Sequence, residues 1–452
     1  MRRLSSFTPE TRKILALAWP VVLTGLNWTV LHVTDVIVVG LVNTDSVAAL
    51  AASRALTFVT IVTGLAWLSG ILALASRADG AGNLKGTGTV LHEGLVLALV
   101  LGAAIGGTLL LFAEPLLQLV GVSAVLVPEA ARVVRMMALG YPCQMVMIAA
   151  SFFLEGISRP RRVTAVNLSI MPFNALLAWV LAAGHFGLPA MGAVGAAMAT
   201  TLACVVGAAL MVGAAWTLPR AAERGLHDFG RAAWRGVPVG AWRLATFGAV
   251  PAIASGLELA GFSVLIALST RLGDVSAHAF QIVFSVHNVT FAIALGIGSA
   301  AGVRAGNAVG EGRPAAAVSR TLIAVGLTVA ALGTLATMLV LTAPWIVAIF
   351  PATAPVHALA GAMLPIWAPF IVCDGIQVVL VYALRSLGDQ VAAGINSILA
   401  YFVVTGGAGL WFVQHGIGPM GLVYASAIGM MTAALLHAGR FAVVSARLRR
   451  QS

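Results

Sequence analysis

Apolar residues run for about 20 positions at a time along this chain, separated by short stretches that hold most of its charge. A helix crossing an apolar layer about 30 Å thick needs about 20 residues. Twelve runs reach that length: 14–40, 46–75, 90–113, 127–155, 163–183, 190–215, 245–270, 276–303, 318–343, 357–386, 391–413 and 419–443. Several exceed the minimum, which predicts tilting or projection past the bilayer. The runs are continuous and do not alternate with period two, which excludes a transmembrane β-barrel. The expectation is an all-α polytopic membrane protein of twelve spans.

Composition agrees, with 60% of the 452 residues hydrophobic and 9% charged, against roughly 45–50% and 25% in soluble chains. A net charge of +11 would suit nucleic acid only if it were gathered on a wettable face. Here it lies between lipid-like runs, so the bilayer is the expected partner and nucleic acid is not. Cytoplasmic loops of membrane proteins collect Lys and Arg. With both termini inside, only Arg54, Arg132, Arg135 and Arg271 of the 26 basic residues fall in the outer half. Arg2 and Arg3 precede an apolar run as in a signal peptide, but that run is long, contains Asp35 and lacks an A-x-A site, so it reads as a retained first span. Cys143, Cys204 and Cys373 all fall inside spans and offer neither a disulfide framework nor metal-ligand spacing.

The chain repeats itself at an offset of 229: GLPAMGAVGAAM at 187–198 aligns with GIGPMGLVYASA at 416–427, and Pro115 with Pro344, each expected to open an outer loop after a third span. FLEGISRP at 153–160 stands opposite ALRSLGDQ at 383–390 with one residue of slippage. The basic linker 216–244 then separates an N-terminal six-helix lobe, 1–215, from a C-terminal one, 245–452. Six is even, so the lobes share one orientation and are expected to be related by an axis along the membrane normal, flanking a central cavity as in transporters.

An ionisable group inside such a span costs on the order of 2.5–3.5 kcal/mol. Of the 15 acidic residues only Asp35, Glu258 and Asp374 lie well inside spans, the first, seventh and tenth. No Lys or Arg is expected at the depth of Glu258 or Asp374, so these acids should be protonated, bound to a cation or wetted by a cavity. Trp367, Phe370, Asp374 and Gln377 step by three and four residues, which puts them on one helical face. Two rings beside a carboxylate suit an organic cation. His278, Gln281, Ser285 and Asn288 form a polar stripe at the same spacing in the eighth span, Trp28, His32 and Asp35 share a side of the first, and Asn167 and Asn174 lie two turns apart in the fifth. Such stripes also serve as hydrogen-bonding glue between packed helices, and for Asn167 and Ser285 the two readings are equally weighted. Pro20, Pro172, Pro251, Pro365 and Pro369 interrupt these spans. Each removes an N–H and frees a carbonyl one turn back, available as a cation ligand or a bend.

At these residues the chain resembles the multidrug and toxic compound extrusion (MATE) transporters, most like the NorM-type branch. The resemblance rests on VRAGNAVGEGRP at 303–314 after the eighth span, Pro20 with DVIVVG at 35–40, LEGISRP at 154–160, Glu258, and DGIQVVLVYALRSLGD at 374–389. It implies that Glu258 and Asp374 are the C-lobe carboxylates that bind the coupling cation, a possible Na⁺ site, that Asp35 is the N-lobe coupling carboxylate, that Gln281 is a residue near drug, and that Asn174 is the N-lobe asparagine. The DinF-like branch has an aspartate four residues after Asn174, where this chain has Ala178, which moves weight to Glu258 and Asp374. Sodium-using relatives can carry a tyrosine one turn before the tenth-span carboxylate, where this chain has Phe370, so H⁺ and Na⁺ both stay open.

The expectation is a cation-coupled antiporter, not an enzyme, without a cofactor, acting as a monomer in the bacterial inner membrane. It would export amphipathic organic cations by alternating access, with Gln281, Asn174, Phe370, Trp367, Gln377, His278 and Asn288 as substrate-binding candidates. The alternative is a lipid-linked saccharide flippase of the wider superfamily. That activity needs arginines for a pyrophosphate, and the nearest candidates are Arg132 and Arg135. The loop SRADGAGNLKGTGT at 76–89 lacks the signature of a major facilitator, and no GxxxxGK[ST] or HExxH is present.

Overall fold

A computed structural model describes residues 7–40, 42, 44–228, 230 and 234–450, except the side chains of residues 7, 8, 28, 29, 32, 44 and 45. The side chains of Trp28 and His32 therefore lie outside the described part. All described elements are helical. In order they are α1 (Phe7–Gly40), α2 (Thr44–Leu68), α3 (Gly70–Gly80), α4 (Leu84–Leu119), α5 (Val127–Gly156), α6 (Pro160–Ala183) and α7 (Gly192–Trp216), then α8 (Val237–Arg271), α9 (Asp274–Gly310), α10 (Pro314–Ala348) and α11 (Ala354–Trp367). A 3₁₀ turn (Ala368–Phe370) leads into α12 (Ile371–Ser386), followed by α13 (Gln390–Ser397), a π-helical segment (Ile398–Gly406), α14 (Gly407–Gln414) and α15 (Met420–Arg450).

Eleven of the described segments are long and apolar enough to cross a membrane. In that reckoning 46–80 counts once, as do 354–386 and 390–414. α1, at 34 residues, stands where the first apolar run is found. Helix ends follow local chemistry. Asn83 caps α4 by accepting from the Gly86 N–H at 2.8 Å. Pro160 and Pro314 open α6 and α10, where a fixed φ suits the first turn.

Two expected helix ends fall elsewhere. Pro115 and Pro344 do not open loops but lie inside α4 and α10. Near Pro115 the chain bends rather than stops, since Phe112 leaves helical geometry (φ −118°, ψ 22°). A proline lacks one hydrogen bond and clashes with the turn before it, and a kink there satisfies both constraints while the apolar segment continues.

The chain forms two compact units, Met1–Val22 with Ile253–Ser452, and Leu23–Ala252. The boundaries lie inside α1 and α8, two and one residues from Pro20 and Pro251. In the unit that contains 253–452, α9 packs mainly on α12 and α10. Its core gathers Phe262, Leu265, Phe280, Val283, Trp367 and Tyr401. There the head of α1 is tied by Glu10, whose carboxylate accepts two bonds from Arg304 at 2.5 and 2.9 Å. Arg320 also binds Glu311 at 2.8 Å. In the other unit α4, α5 and α7 form the main stack. The head of α8 is held there by Arg243 near Glu93 at 3.5 Å and by the Trp67 indole, which donates to the Ala245 carbonyl at 2.8 Å.

Candidate functional site

The break between α11 and α12 comes from two prolines four residues apart. Pro365 lies inside α11, and Pro369 falls in the 3₁₀ turn that ends it. The chain resumes as α12, which puts Asp374 in its first turn. Asp374 is only 4% exposed. Its Oδ1 accepts from the Tyr401 hydroxyl at 2.7 Å and from the Gln377 amide at 3.4 Å. Its Oδ2 lies 3.9 Å from Nε2 of His287.

Tyr401 reaches Asp374 because it sits in the π-helical segment, whose wider turn moves side chains off the ordinary helical positions. A hydrogen bond from the Thr405 hydroxyl to the Ala400 carbonyl, five residues back at 3.1 Å, accompanies that widening. Close packing on α8 fixes the segment. A methyl group at Gly261 would stand 2.2 Å from the Tyr401 carbonyl oxygen, so only glycine admits the approach. Glu258 lies one turn earlier on α8, half-buried, and interacts electrostatically with both Asp374 and Tyr401. The two C-terminal carboxylates therefore belong to one cluster.

Aromatic rings enclose the cluster. His287 is buried and packs on Trp367 at 4.9 Å, Phe291 at 5.6 Å, Phe284 at 5.9 Å and Phe262 at 6.1 Å between centroids. Trp367 is buried and its indole N–H has no hydrogen-bond partner among the described residues. Phe370 is half-buried against the same apolar cluster. The α-helical face expected for Trp367, Phe370, Asp374 and Gln377 is thus divided by the 3₁₀ turn, which has about three residues per turn. Gln377 joins Asp374, Trp367 packs on His287, and Phe370 packs on the apolar cluster.

The stripe on α9 has a different setting. His278, Gln281 and Asn288 are exposed, and Ser285 is half-buried and donates to the Gln281 carbonyl on its own helix. His287, one position before Asn288, is the residue of α9 that stands beside Asp374. In the other unit Asp35 and Asn174 are 5% and 1% exposed, and the Asn174 amide donates to Asp35 Oδ1 at 3.0 Å. Arg54 interacts electrostatically with Asp35. The Asn167 side chain donates to the Val163 carbonyl on its own helix at 2.9 Å, and its backbone carbonyl accepts from the Asn27 side chain at 3.1 Å.

Three members of the cluster were not anticipated. Tyr401 is one of four tyrosines, and a hydroxyl in a lipid-like run needs a partner, which was the available signal. His287 sits one position off the polar stripe and so fell outside the pattern. Arg385, expected in a cytoplasmic segment, lies in the last turn of α12. Its guanidinium sits 5.9 Å from the Tyr382 ring centroid and interacts electrostatically with Glu258, so a base does stand near that acid.

The MatE family model matches residues 20–180 and 251–406, covering both carboxylate-bearing units. The chain belongs to the MatE family. It is 33% identical to a probable multidrug resistance protein NorM of Deinococcus radiodurans, over 96% of each chain. It is 30% identical to a protein of the same name in Bradyrhizobium diazoefficiens, over 97% of this chain and 94% of that one. The crystal structure of the eukaryotic MATE transporter AtDTX14 superposes with a TM-score of 0.87 at 19% identity, covering 98% and 99% of the two chains. At that identity the likeness concerns the fold. This MatE chain is accordingly a multi-pass membrane transporter and not an enzyme.

Proposed function

We propose that this MatE-family transporter is a multidrug exporter of the inner membrane, both termini cytoplasmic, that exchanges a coupling cation, H⁺ or Na⁺, for amphipathic organic cations. The observation that carries the reading is the joining of half-buried Glu258 and buried Asp374 in one cluster walled by aromatic rings. Two carboxylates that interact within a low-dielectric setting repel one another, which favours binding of a cation between them. A cation bound there removes the negative charge that would attract an organic cation, so ion and solute compete. Alternating access then turns the competition into exchange. The exposed polar stripe of His278, Gln281 and Asn288, with Phe370, supplies candidate solute contacts, and Asp35 with Asn174 supplies a second carboxylate site. The names of the NorM relatives support multidrug resistance as the physiological setting.

The test is efflux of a fluorescent organic cation, ethidium, from proteoliposomes under an imposed ion gradient. Glu258→Gln and Asp374→Asn each abolish gradient-driven efflux while the protein remains in the membrane. Undiminished efflux by both variants overturns the reading.

A further inference from the structure

α8 is longer than a membrane requires. Its 35 residues rise about 52 Å at 1.5 Å each, against about 30 Å of hydrocarbon. The apolar run that fills that thickness begins near residue 245, so the head of the helix lies at the edge of the core, next to the basic linker. This head has two different sides. Val237, Gly240, Ala241 and Leu244 are buried, and a methyl group at Gly240 would overlap the Glu93 carboxylate of α4. The Trp67 indole holds the Ala245 carbonyl, so the buried side is fixed in place. The other side exposes Val239 and Trp242, 75% and 72% accessible, together with Arg243, whose side chain is 67% accessible. Arg235, also exposed, leads into the helix.

We propose that the exposed side of the α8 head docks an anionic phospholipid of the leaflet on the linker side, with Trp242 and Arg243 as its contacts. Both lie about 3–5 Å of helix rise outside residue 245, within a headgroup layer about 5–7 Å thick. An indole suits that layer because its ring is apolar and its N–H is not. A guanidinium beside it offers N–H groups in the fork that a phosphate accepts. Arg243 shares its charge with Glu93 at 3.5 Å, and Arg235, farther out but within the reach of unscreened charge, adds to the attraction. No Asp or Glu occurs between Asp228 and Glu258 to oppose it. Trp345 of α10 supplies the contrast. It is 73% exposed, yet no Lys or Arg occurs between Arg320 and Arg385, so it has an indole to offer the bilayer without a neighbouring base in sequence. The docking does not depend on what the transporter carries.

The test uses the full-length protein in phosphatidylcholine vesicles that contain brominated phosphatidylglycerol or, at equal mole fraction, brominated phosphatidylcholine. Bromine quenches tryptophan emission on contact, and the difference between the unaltered protein and Trp242→Phe isolates the Trp242 signal. Quenching of Trp242 is expected to be about fivefold more effective with the anionic lipid, the effect of one full cation at a membrane surface. Trp345, isolated in the same way through Trp345→Phe, shows no preference. Arg235→Gln combined with Arg243→Gln removes the preference at Trp242, and Glu93→Gln is made in the same protein so that no buried carboxylate loses its neighbour. Inorganic phosphate, exchanged for chloride at equal ionic strength, leaves the preference in place, because the indole and the acyl chains hold the lipid as well. Equal quenching of Trp242 by the two lipids overturns the inference, as does an equal preference at Trp345. A preference that survives loss of both arginines also overturns it, and one that inorganic phosphate abolishes marks a simple anion site and not lipid docking.

Discussion

Single atoms decide the state of each buried carboxylate. Asp35 receives a hydrogen bond from Asn174, and a donor lost at such a position leaves the acid unsatisfied at a cost of about 1–3 kcal/mol. Asn174→Ala is expected to lower the thermal midpoint of the purified protein accordingly. In Asp35→Asn the same change costs less, and a double-mutant cycle on unfolding reads the difference as the coupling between the two residues. Gly261 is the other atom-scale constraint, because the Tyr401 carbonyl lies where its Cβ would be. Gly261→Ala should therefore destabilise by about 1–3 kcal/mol through overpacking. It should also slow transport, since the displaced segment carries the hydroxyl that holds Asp374. Normal stability and normal efflux in this variant would show that the segment does not need its close seat on α8.

At the scale of elements, the interruptions matter more than the helices. Pro369→Ala restores an N–H and permits continuous helix from α11 to α12, which would turn Asp374 away from Tyr401. Misplacing a reacting group by an ångström or so costs about a hundredfold, so the expected loss is in the maximal rate of efflux, with ethidium KM little changed. The apolar runs made the spans legible, because lipid-facing helices need uninterrupted apolar length. The paired prolines at 365 and 369 also announced a break near an acid. What the runs could not show was the π-helical register of 398–406, since apolar residues are acceptable at every position of a lipid-like helix and leave no periodic trace. Tyr401 therefore stayed invisible as a partner of Asp374. His287 was missed for a related reason: it lies on the side of α9 that packs inward, while the exposed side carried the conspicuous polar residues. Glu258, Asp374, Asp35 and Asn174 were legible because charge and amide groups are rare inside apolar runs.

At the scale of the whole molecule, the heads of α1 and α8 are fastened by ion pairs. Glu10 and Arg304 are 13% and 11% exposed at their side chains, and breaking a buried pair by removing one partner costs about 3–5 kcal/mol. Glu10→Gln should lower the thermal midpoint, and Glu10→Arg combined with Arg304→Glu should recover part of the loss. The loop after α9 adds a pH dependence. Burial works to raise the Glu311 carboxyl, but hydrogen bonds and attraction from Arg320 and Arg313 outweigh it and hold the group below the usual carboxylate range. A depressed native value contributes stability that is complete above the unfolded value, about 4.3, and is lost as pH falls through the native value. Thermal midpoints measured from pH 6 downward should fall faster for the unaltered protein than for Glu311→Gln below about pH 4.3.

The placement of the unit boundaries within α1 and α8 bears on what happens if the gene is cut in the linker between α7 and α8. The first fragment would lack 237–252, which pack into its own bundle, and the second would lack 7–22, which pack into its own. Neither piece would be a whole body. Expressed alone, each would present a vacant slot for a helix head. Expressed together, the two would have to trade arms before either could mature, so paired synthesis should rescue both from degradation where separate synthesis rescues neither.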